Sequence, residues 1–447
     1  MKKKKNDRLT QTQMLVLGYC LIILLGACLL MLPAATREGV HTPFIDALFT
    51  SASASCVTGL IVRDTFQYWS TFGQIVILIL IQIGGLGFMT IGAFFAIILR
   101  RKIGLWMRGT MQESVNALQL GGIVRLAKFI IKGTVLFEGA GALLLAIRFS
   151  RTMSLGKAVY FGIFHAVSAF CNAGFDLMGC NEAYSSFTAY YDDWLVNLVL
   201  MALIIIGGIG FYVWMDLREH QLHLKKYSLH TKIVVLSTFL LIAVGAVLLF
   251  VFEQDNTIKG MPLGDQVLCS LFGSVTARTA GFNTVDTAAL TDGSKILTMI
   301  LMFVGGSPGS TAGGIKTTTF VVLVIYIITN LQQKSDCNIF GRRMDDTCIR
   351  KASSVMCINL FLSIAAILLI VSRQPLPAVD VMFEVFSAMG TVGMSTGITR
   401  EWDTISKIAL IFLMYCGRVG SLTFAFSLRG HKTQVPVRQP VEQIMIG

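Results

Sequence analysis

The sequence predicts an all-α membrane protein of eight transmembrane helices and four re-entrant loops, arranged as four pseudo-symmetric copies of one helix–loop–helix unit. Three observations predict it. Hydrophobic residues make up 54% of the 447 and charged ones only 14%, too little polar matter to cover a water-facing surface. Apolar runs of the ~20 residues needed to cross ~30 Å of hydrocarbon recur along the chain. A short apolar motif ending in glycine returns at a near-constant period.

The runs lie at Met14–Leu32, Gln74–Leu99, Leu126–Ile147, Trp194–Trp214, Ile233–Phe252, Ile296–Thr329, Val355–Val371 and Ile405–Phe426. The first follows four lysines and exceeds the ~7–15-residue core of a signal peptide, so it is read as a retained anchor. Lys and Arg gather in alternate connections: the N-terminal segment, Arg100–Lys132, Arg218–Lys232, Lys334–Lys351 and the tail. This positive-inside pattern puts both termini in the cytoplasm, and it assigns the net charge of +12 to orientation rather than nucleic-acid binding. The ten cysteines show no CxxC spacing, so neither a disulfide framework nor a transition-metal site is expected. His220, His223 and His230 read as part of a solvated basic loop or docking surface.

The repeated motif sits in every outward connection. Aligned on Gly59, Gly174, Gly281 and Gly393, which are 115, 107 and 112 residues apart, the segments share Ser53-Ala54, Ser168-Ala169, Val275-Thr276 and Ser387-Ala388 six and five places earlier. Ten places earlier stand Phe49, Phe164, Leu271 and Phe383. The quarters 1–110, 111–225, 226–335 and 336–447 are therefore expected to be repeats of outer helix, pore loop and inner helix (M1-P-M2). Backbone that leaves helical geometry at membrane depth must be buried in protein or line a watery cavity. Four such loops around one axis make a pore.

Inward-pointing carbonyls replace the hydration shell of a cation, and glycine adopts the backbone angles this requires. The four glycines are expected to form one ring, with the carbonyls of Val57 and Thr58, Asn172 and Ala173, Thr279 and Ala280, and Thr391 and Val392 stacked beneath it.

The sixth run contains Gly305, Gly306, Ser307, Pro308, Gly309, Ser310, Thr311, Ala312, Gly313 and Gly314. Proline and repeated glycine disfavour helix, so two half-helices joined by an irregular loop are expected. A phosphate-binding loop is excluded, because Ile315 separates Gly314 from Lys316 and no strand precedes it. Lys316 and Arg418 are charges at membrane depth, where such groups are functional or paired; snorkelling remains open for Lys316. Arg278, three places before Gly281, is expected to pair with Glu384. Glu138 is a further intramembrane carboxylate without a nameable partner. The stretches Gly84-Gly85-Leu86-Gly87 and Gly207-Gly208-Ile209-Gly210 are read as sites of close helix packing.

The order span, loop, span, four times over, with Val-Thr-Gly-Leu, Asn-Ala-Gly-Phe, Arg-Thr-Ala-Gly-Phe and Thr-Val-Gly-Met as loop ends, resembles the superfamily of Trk, Ktr and HKT cation transporters across nearly the whole chain. Eight spans with little ahead of the first are most similar to the Ktr membrane subunit of KtrB or KtrD type. The resemblance implies potassium uptake across a bacterial plasma membrane, with potassium bound at the filter residues. Glycine at all four positions goes with potassium, and serine in the first loop with sodium. It further implies an intramembrane gate made of residues 305–314 with Lys316 and Arg418, the arginine raising the barrier to cation passage. A homodimer is implied, docked on a cytoplasmic nucleotide-binding ring of RCK/KTN type, with the tail Arg429–Gly447 and Lys334–Lys351 near these contacts. Membrane lipid is the remaining partner, no cofactor is implied, and sodium stands as activator or co-ion. The alternatives are a sodium-preferring or non-selective member of the superfamily, or an unrelated secondary transporter with inverted repeats. An enzyme would need convergent polar groups that the spans do not offer.

Overall fold

The computed structural model describes residues 10–87, 89–92, 109–110, 112, 123–221, 223–334, 336–428, 440 and 442. The lysine-rich start, much of the basic stretch after residue 100 and nearly all of the tail lie outside these residues.

The helices fall into four like groups. They are α1 (Gln11–Leu30), α2 (Phe44–Ser55) and α3 (Thr71–Leu86); α4 (Ile123–Phe149), α5 (Leu155–Phe170), α6 (Trp194–Gly208) and α7 (Phe211–His220); α8 (Leu229–Glu253), α9 (Leu263–Thr276), α10 (Asp292–Phe303) and α11 (Thr317–Leu331); and α12 (Asp346–Val371), α13 (Ala378–Gly390), α14 (Thr404–Val419) and α15 (Ser421–Leu428). Each group opens with a long unbroken helix, continues with a short one and closes with an interrupted one. The only two strands among the described residues form a hairpin pairing Asn338–Ile339 with Arg342–Arg343, turned at Phe340 and Gly341, both at positive φ.

Helix starts follow local chemistry. Thr10, Ser70, Asp193, Ser228, Thr291, Asp345 and Asp403 each accept a backbone N–H from the first turn of the helix they precede. Three of the four short helices instead start behind Pro43, Pro262 and Pro377, whose fixed φ ends the extended run without removing a helical hydrogen bond.

By length and composition α1, α4, α8 and α12 can each cross a membrane alone; counting α6 with α7 and α14 with α15, bent by 95° and 96°, gives six. The apolar side chains of the long helices face outward: Leu21, Leu25, Val135, Leu136, Phe239, Val247, Phe361 and Leu368 are all more than half exposed. A surface of this kind suits hydrocarbon rather than water. The sixth run is broken as its proline and glycines predict, with 304–316 irregular between α10 and α11. The fourth and eighth runs break as well, which their sequences did not announce. Gly87, Gly210 and Gly420 stand at the ends of α3, α6 and α14 with φ of 79°, 98° and 93°.

Closure of the fold is visible in the packing. The closing helix of each group packs on the short helix of the next: α3 on α5, α6 on α9, α10 on α13, and α14 back on α2. The four short helices are thus held at the centre. Phe49, Phe164 and Phe383 are fully buried in them, and in the third the fully buried ring is Phe272, one place later than the glycine alignment supposes.

Candidate ion pathway

Each loop reaches its glycine through the same backbone alternation. Val57 and Gly59 have φ of 57° and 94°, Asn172 and Gly174 59° and 69°, Thr279 and Gly281 89° and 84°, Thr391 and Gly393 52° and 91°; the residues between them are not left-handed. In a β-strand successive carbonyls point to opposite sides, and alternating the handedness of successive residues turns them to the same side. For β-branched Val57, Thr279 and Thr391 a positive φ is strained, and such strain gathers at functional sites.

The glycines meet in a closed ring. A methyl group on Gly59 would lie 2.5 Å from the Ala173 carbonyl oxygen, and one on Gly174 2.6 Å from that of Ala280. One on Gly281 would strike the Val392 oxygen, and one on Gly393 the Thr58 oxygen, which returns the circuit to its start. Side chains in the turns differ while the carbonyl pattern repeats.

Hydroxyls of the short helices hold the turns. Ser53 and Ser387 accept the N–H of Gly59 and Gly393 at 3.1 and 3.0 Å. Ser168 donates to the Phe175 carbonyl at 2.6 Å, and Thr276 to that of Phe282 at 2.7 Å. In the third loop both the hydroxyl and the buried ring stand one place nearer the glycine, so that loop is one residue shorter than the others. All four short helices end within five residues of their glycine, directing their negative ends at the ring, where a cation is favoured. Gly84, Gly207 and Gly417 refine the close-packing expectation: a side chain there would collide with the carbonyls of Ser55, Phe170 and Met389, each four places before a ring glycine. These glycines admit the backbone of the ring loops.

The ring separates two cavities. One, of about 290 Å³, is lined by all four ring glycines together with Asp64, Asp176 and Asp286. The other, of about 310 Å³, is lined by Gly309, Ser310, Ala312 and Gly314 with Lys316, Lys351 and Arg418. The first cavity sets three aspartates against one arginine, Arg400, and the second carries basic side chains.

Between them lies the irregular loop. Thr311 Oγ1 lies 3.1 Å from Asn172 Oδ1 and 3.0 Å from the Phe170 carbonyl, and Asn172 Nδ2 donates to Thr279 Oγ1 at 3.0 Å. Ser307 N–H and Thr311 N–H donate to the Gly208 and Gly207 carbonyls, and Gly314 N–H to that of Gly417. Gly305 and Gly306 close against Gly313 and Ala312, and Gly313 against Thr391; the Pro308 carbonyl abuts Gly210. The Arg418 guanidinium donates to the carbonyls of Thr311, Gly84 and Gly85, tying loop, α3 and α14 together with no carboxylate partner among the described residues. Lys316, at the N-terminus of α11, donates to the Ala312 carbonyl at 2.8 Å.

The expected Arg278–Glu384 pair is absent. Arg278 Nη1 reaches the Thr238 carbonyl at 3.4 Å, whereas Glu384 accepts from Ser395 at 2.5 Å and Thr399 at 2.7 Å. Glu384 lies within α13, nine places before its glycine, whereas Arg278 lies past the end of α9, three before its own, and hydroxyls of the fourth loop take both Glu384 oxygens. Glu138 acquires a partner that the sequence did not name: Gln82, 3.1 Å away on α3. His220 pairs with Asp216 at 2.9 Å, and no group of three candidate metal ligands occurs among the described residues.

Two features escaped sequence reading. Nine places before the ring glycine, His165 and Glu384 brace the outgoing strands of the second and fourth loops, His165 Nε2 accepting the Leu177 N–H at 3.0 Å. Lys407 on α14 pairs with Asp46 on α2 at 2.8 Å, and Lys295 on α10 with Asp380 on α13 at 3.0 Å. Each is a lysine four residues into a closing helix and an aspartate three into the next short helix, so matched helix starts carried the signal.

Comparison with known proteins agrees with this architecture. The cation transport protein family TrkH matches residues 3–431. The chain is 39% identical to the potassium/sodium uptake protein NtpJ of Enterococcus hirae, covering 100% of this chain and 99% of that protein. It is 40% identical to the Ktr system potassium uptake protein B of Bacillus subtilis over 98% and 97% of the two chains. The crystal structure of the potassium transporter TrkH from Vibrio parahaemolyticus aligns with a TM-score of 0.74 at 19% identity, over 95% of this chain and 86% of that one, a likeness of fold.

Proposed function

The chain belongs to the TrkH family of cation transport proteins, and on that footing we propose that it is the pore-forming subunit of a Ktr-type potassium uptake system. It is a multi-pass membrane protein. In this reading the quarters are four M1-P-M2 repeats, each closing helix completes a crossing despite its break, and eight spans leave both termini in the cytoplasm at the plasma membrane.

One observation carries the reading: four left-handed glycine turns, one per quarter, join carbonyl to glycine in a closed ring between two polar cavities. Potassium gathers in the acid-lined outer cavity and exchanges water for the ring carbonyls. It then meets the loop of residues 305–314, held across the path by Arg418. Conduction requires that loop to withdraw. An inside-negative potential supplies ~2.3 kcal/mol per charge per 100 mV, enough to drive uptake without a nucleotide site.

Relatives named as parts of Ktr systems support a partner subunit. We place a homodimer on an RCK/KTN-type ring contacting Lys334–Lys351, where the hairpin presents exposed Arg342 and Arg343. The name of the Enterococcus relative favours one second reading, sodium as co-ion or as the preferred ion. Uptake complementation of a potassium-requiring bacterium decides between them. Wild type restores growth at low potassium, and Gly59→Ser and Gly393→Ser shift preference toward sodium. Unchanged preference in both variants refutes the filter assignment.

A further inference from the structure

A buried guanidinium lies behind the third loop with no charged partner. Arg278 follows the C-terminus of α9, three residues before Gly281, and only 7% of it is exposed. The one hydrogen bond of its guanidinium among the described residues is the long one to the Thr238 carbonyl. Its Nε is buried without a partner, and so is the Thr238 hydroxyl beside it. No ion pair among the described residues includes Arg278.

Both side chains line one cavity of about 20 Å³, walled by Gly208, Gly306 and isoleucines of α6 and α8. A single water needs roughly 10–15 Å³ of such space, so this cavity has room for one species of water or halide size and excludes a phosphate or lipid headgroup. The negative end of α9 supplies about half a unit charge, which leaves the guanidinium under-compensated at a depth where charge is normally neutralised. An uncompensated positive charge this near the ring would also repel the cation there.

We propose that this cavity binds a small monovalent anion of the halide class, accepting hydrogen bonds from Arg278 Nε and the Thr238 hydroxyl. The anion is the counter-charge of the third filter loop. Only its effect on transport rests on the filter reading; the site itself does not.

The test is anomalous diffraction from crystals of the full chain grown in bromide. A single bromide peak within hydrogen-bond distance of Arg278 Nε is expected, lost in Arg278→Gln and weakened in Thr238→Val. Water alone at this position, or a bromide peak that survives Arg278→Gln, overturns the proposal. Should Arg278→Gln fail to fold, wild-type and Thr238→Val crystals suffice to decide. In proteoliposomes, replacing halide by gluconate raises the potassium KM several-fold in the wild type. A bromide peak found in a protein whose ring glycine variants transport normally would retain the anion site while refuting the filter.

Discussion

Glycine-to-alanine substitution separates the ring's function from ordinary backbone strain, because the protein contains its own control. Gly59 has φ 94° and Gly39 has φ 68°, so alanine at either carries the left-handed penalty of about 1–2 kcal/mol. The two differ in surroundings. A Cβ on Gly39 meets nothing within 4 Å, while one on Gly59 lies 2.5 Å from the Ala173 carbonyl oxygen. Real Cβ contacts stay beyond 3.0 Å, so that carbonyl must move by at least about 0.5 Å. It is backbone, anchored through the Ala173 N–H to the Ser168 carbonyl at 2.8 Å, and cannot swing aside as a side chain would. Distorting such an over-determined turn costs about 1–3 kcal/mol, equivalent to roughly 5–150-fold in affinity. Rubidium uptake in a potassium-requiring strain, with protein level checked by blot, should show Gly59→Ala raising KM within that range and Gly39→Ala leaving it near wild type. Equal KM values for the two variants at equal expression would refute the ring as the ion path.

Asp46 pairs with Lys407 at 2.8 Å and Arg63 at 3.2 Å. Asp46→Asn strands a largely buried lysine and should cost about 3–5 kcal/mol, while Lys407→Met leaves Asp46 paired with Arg63 and should cost clearly less; thermal unfolding in detergent reads the difference. Arg418→Gln removes the tie between loop, α3 and α14, so potassium flux into proteoliposomes should rise, and unchanged flux would mean the arginine only packs helices. Glu384→Ala removes the acceptor shared by the Ser395 and Thr399 hydroxyls, each bond being worth about 0.5–1.5 kcal/mol, and should erode potassium-over-sodium discrimination more than Glu384→Gln. Equal discrimination in these two variants would make the brace irrelevant to the filter.

The ring and the broken sixth run were legible because both are written in glycine and proline, residues whose effect is local. The bends after α6 and α14 were not. Gly210 and Gly420 break their helices only because other backbone occupies the space, Pro308 and Gly309 against Gly210 for instance. A guanidinium that has to turn away from a cation path, with a carboxylate in the neighbouring loop, suggested the Arg278–Glu384 pair. Sequence spacing says nothing of which hydroxyl arrives first, and Thr399 did. The lysine–aspartate seams needed the cyclic order of packing, which follows from no single quarter.

The third loop shows why a glycine-only alignment was nearly sufficient and where it fails. Its hydroxyl and its buried ring have both moved one place, Thr276 for serine and Phe272 for Leu271, while Thr279 keeps the left-handed turn two before Gly281. The loop therefore lost one residue between anchor and turn, and the Ala280 N–H bonds four residues back to Thr276, where the other three loops bond five back. What persists through the deletion is a dihedral pattern and one hydroxyl, not a side chain facing the ion. In the proposed reading, ligands made of backbone would leave each quarter's other positions free to differ. The second loop uses that freedom for a histidine brace, the fourth for a carboxylate brace and Arg418, and the third for the crossing loop and a lone guanidinium. On that reading, four like helix groups and side chains peculiar to one group can coexist in one chain.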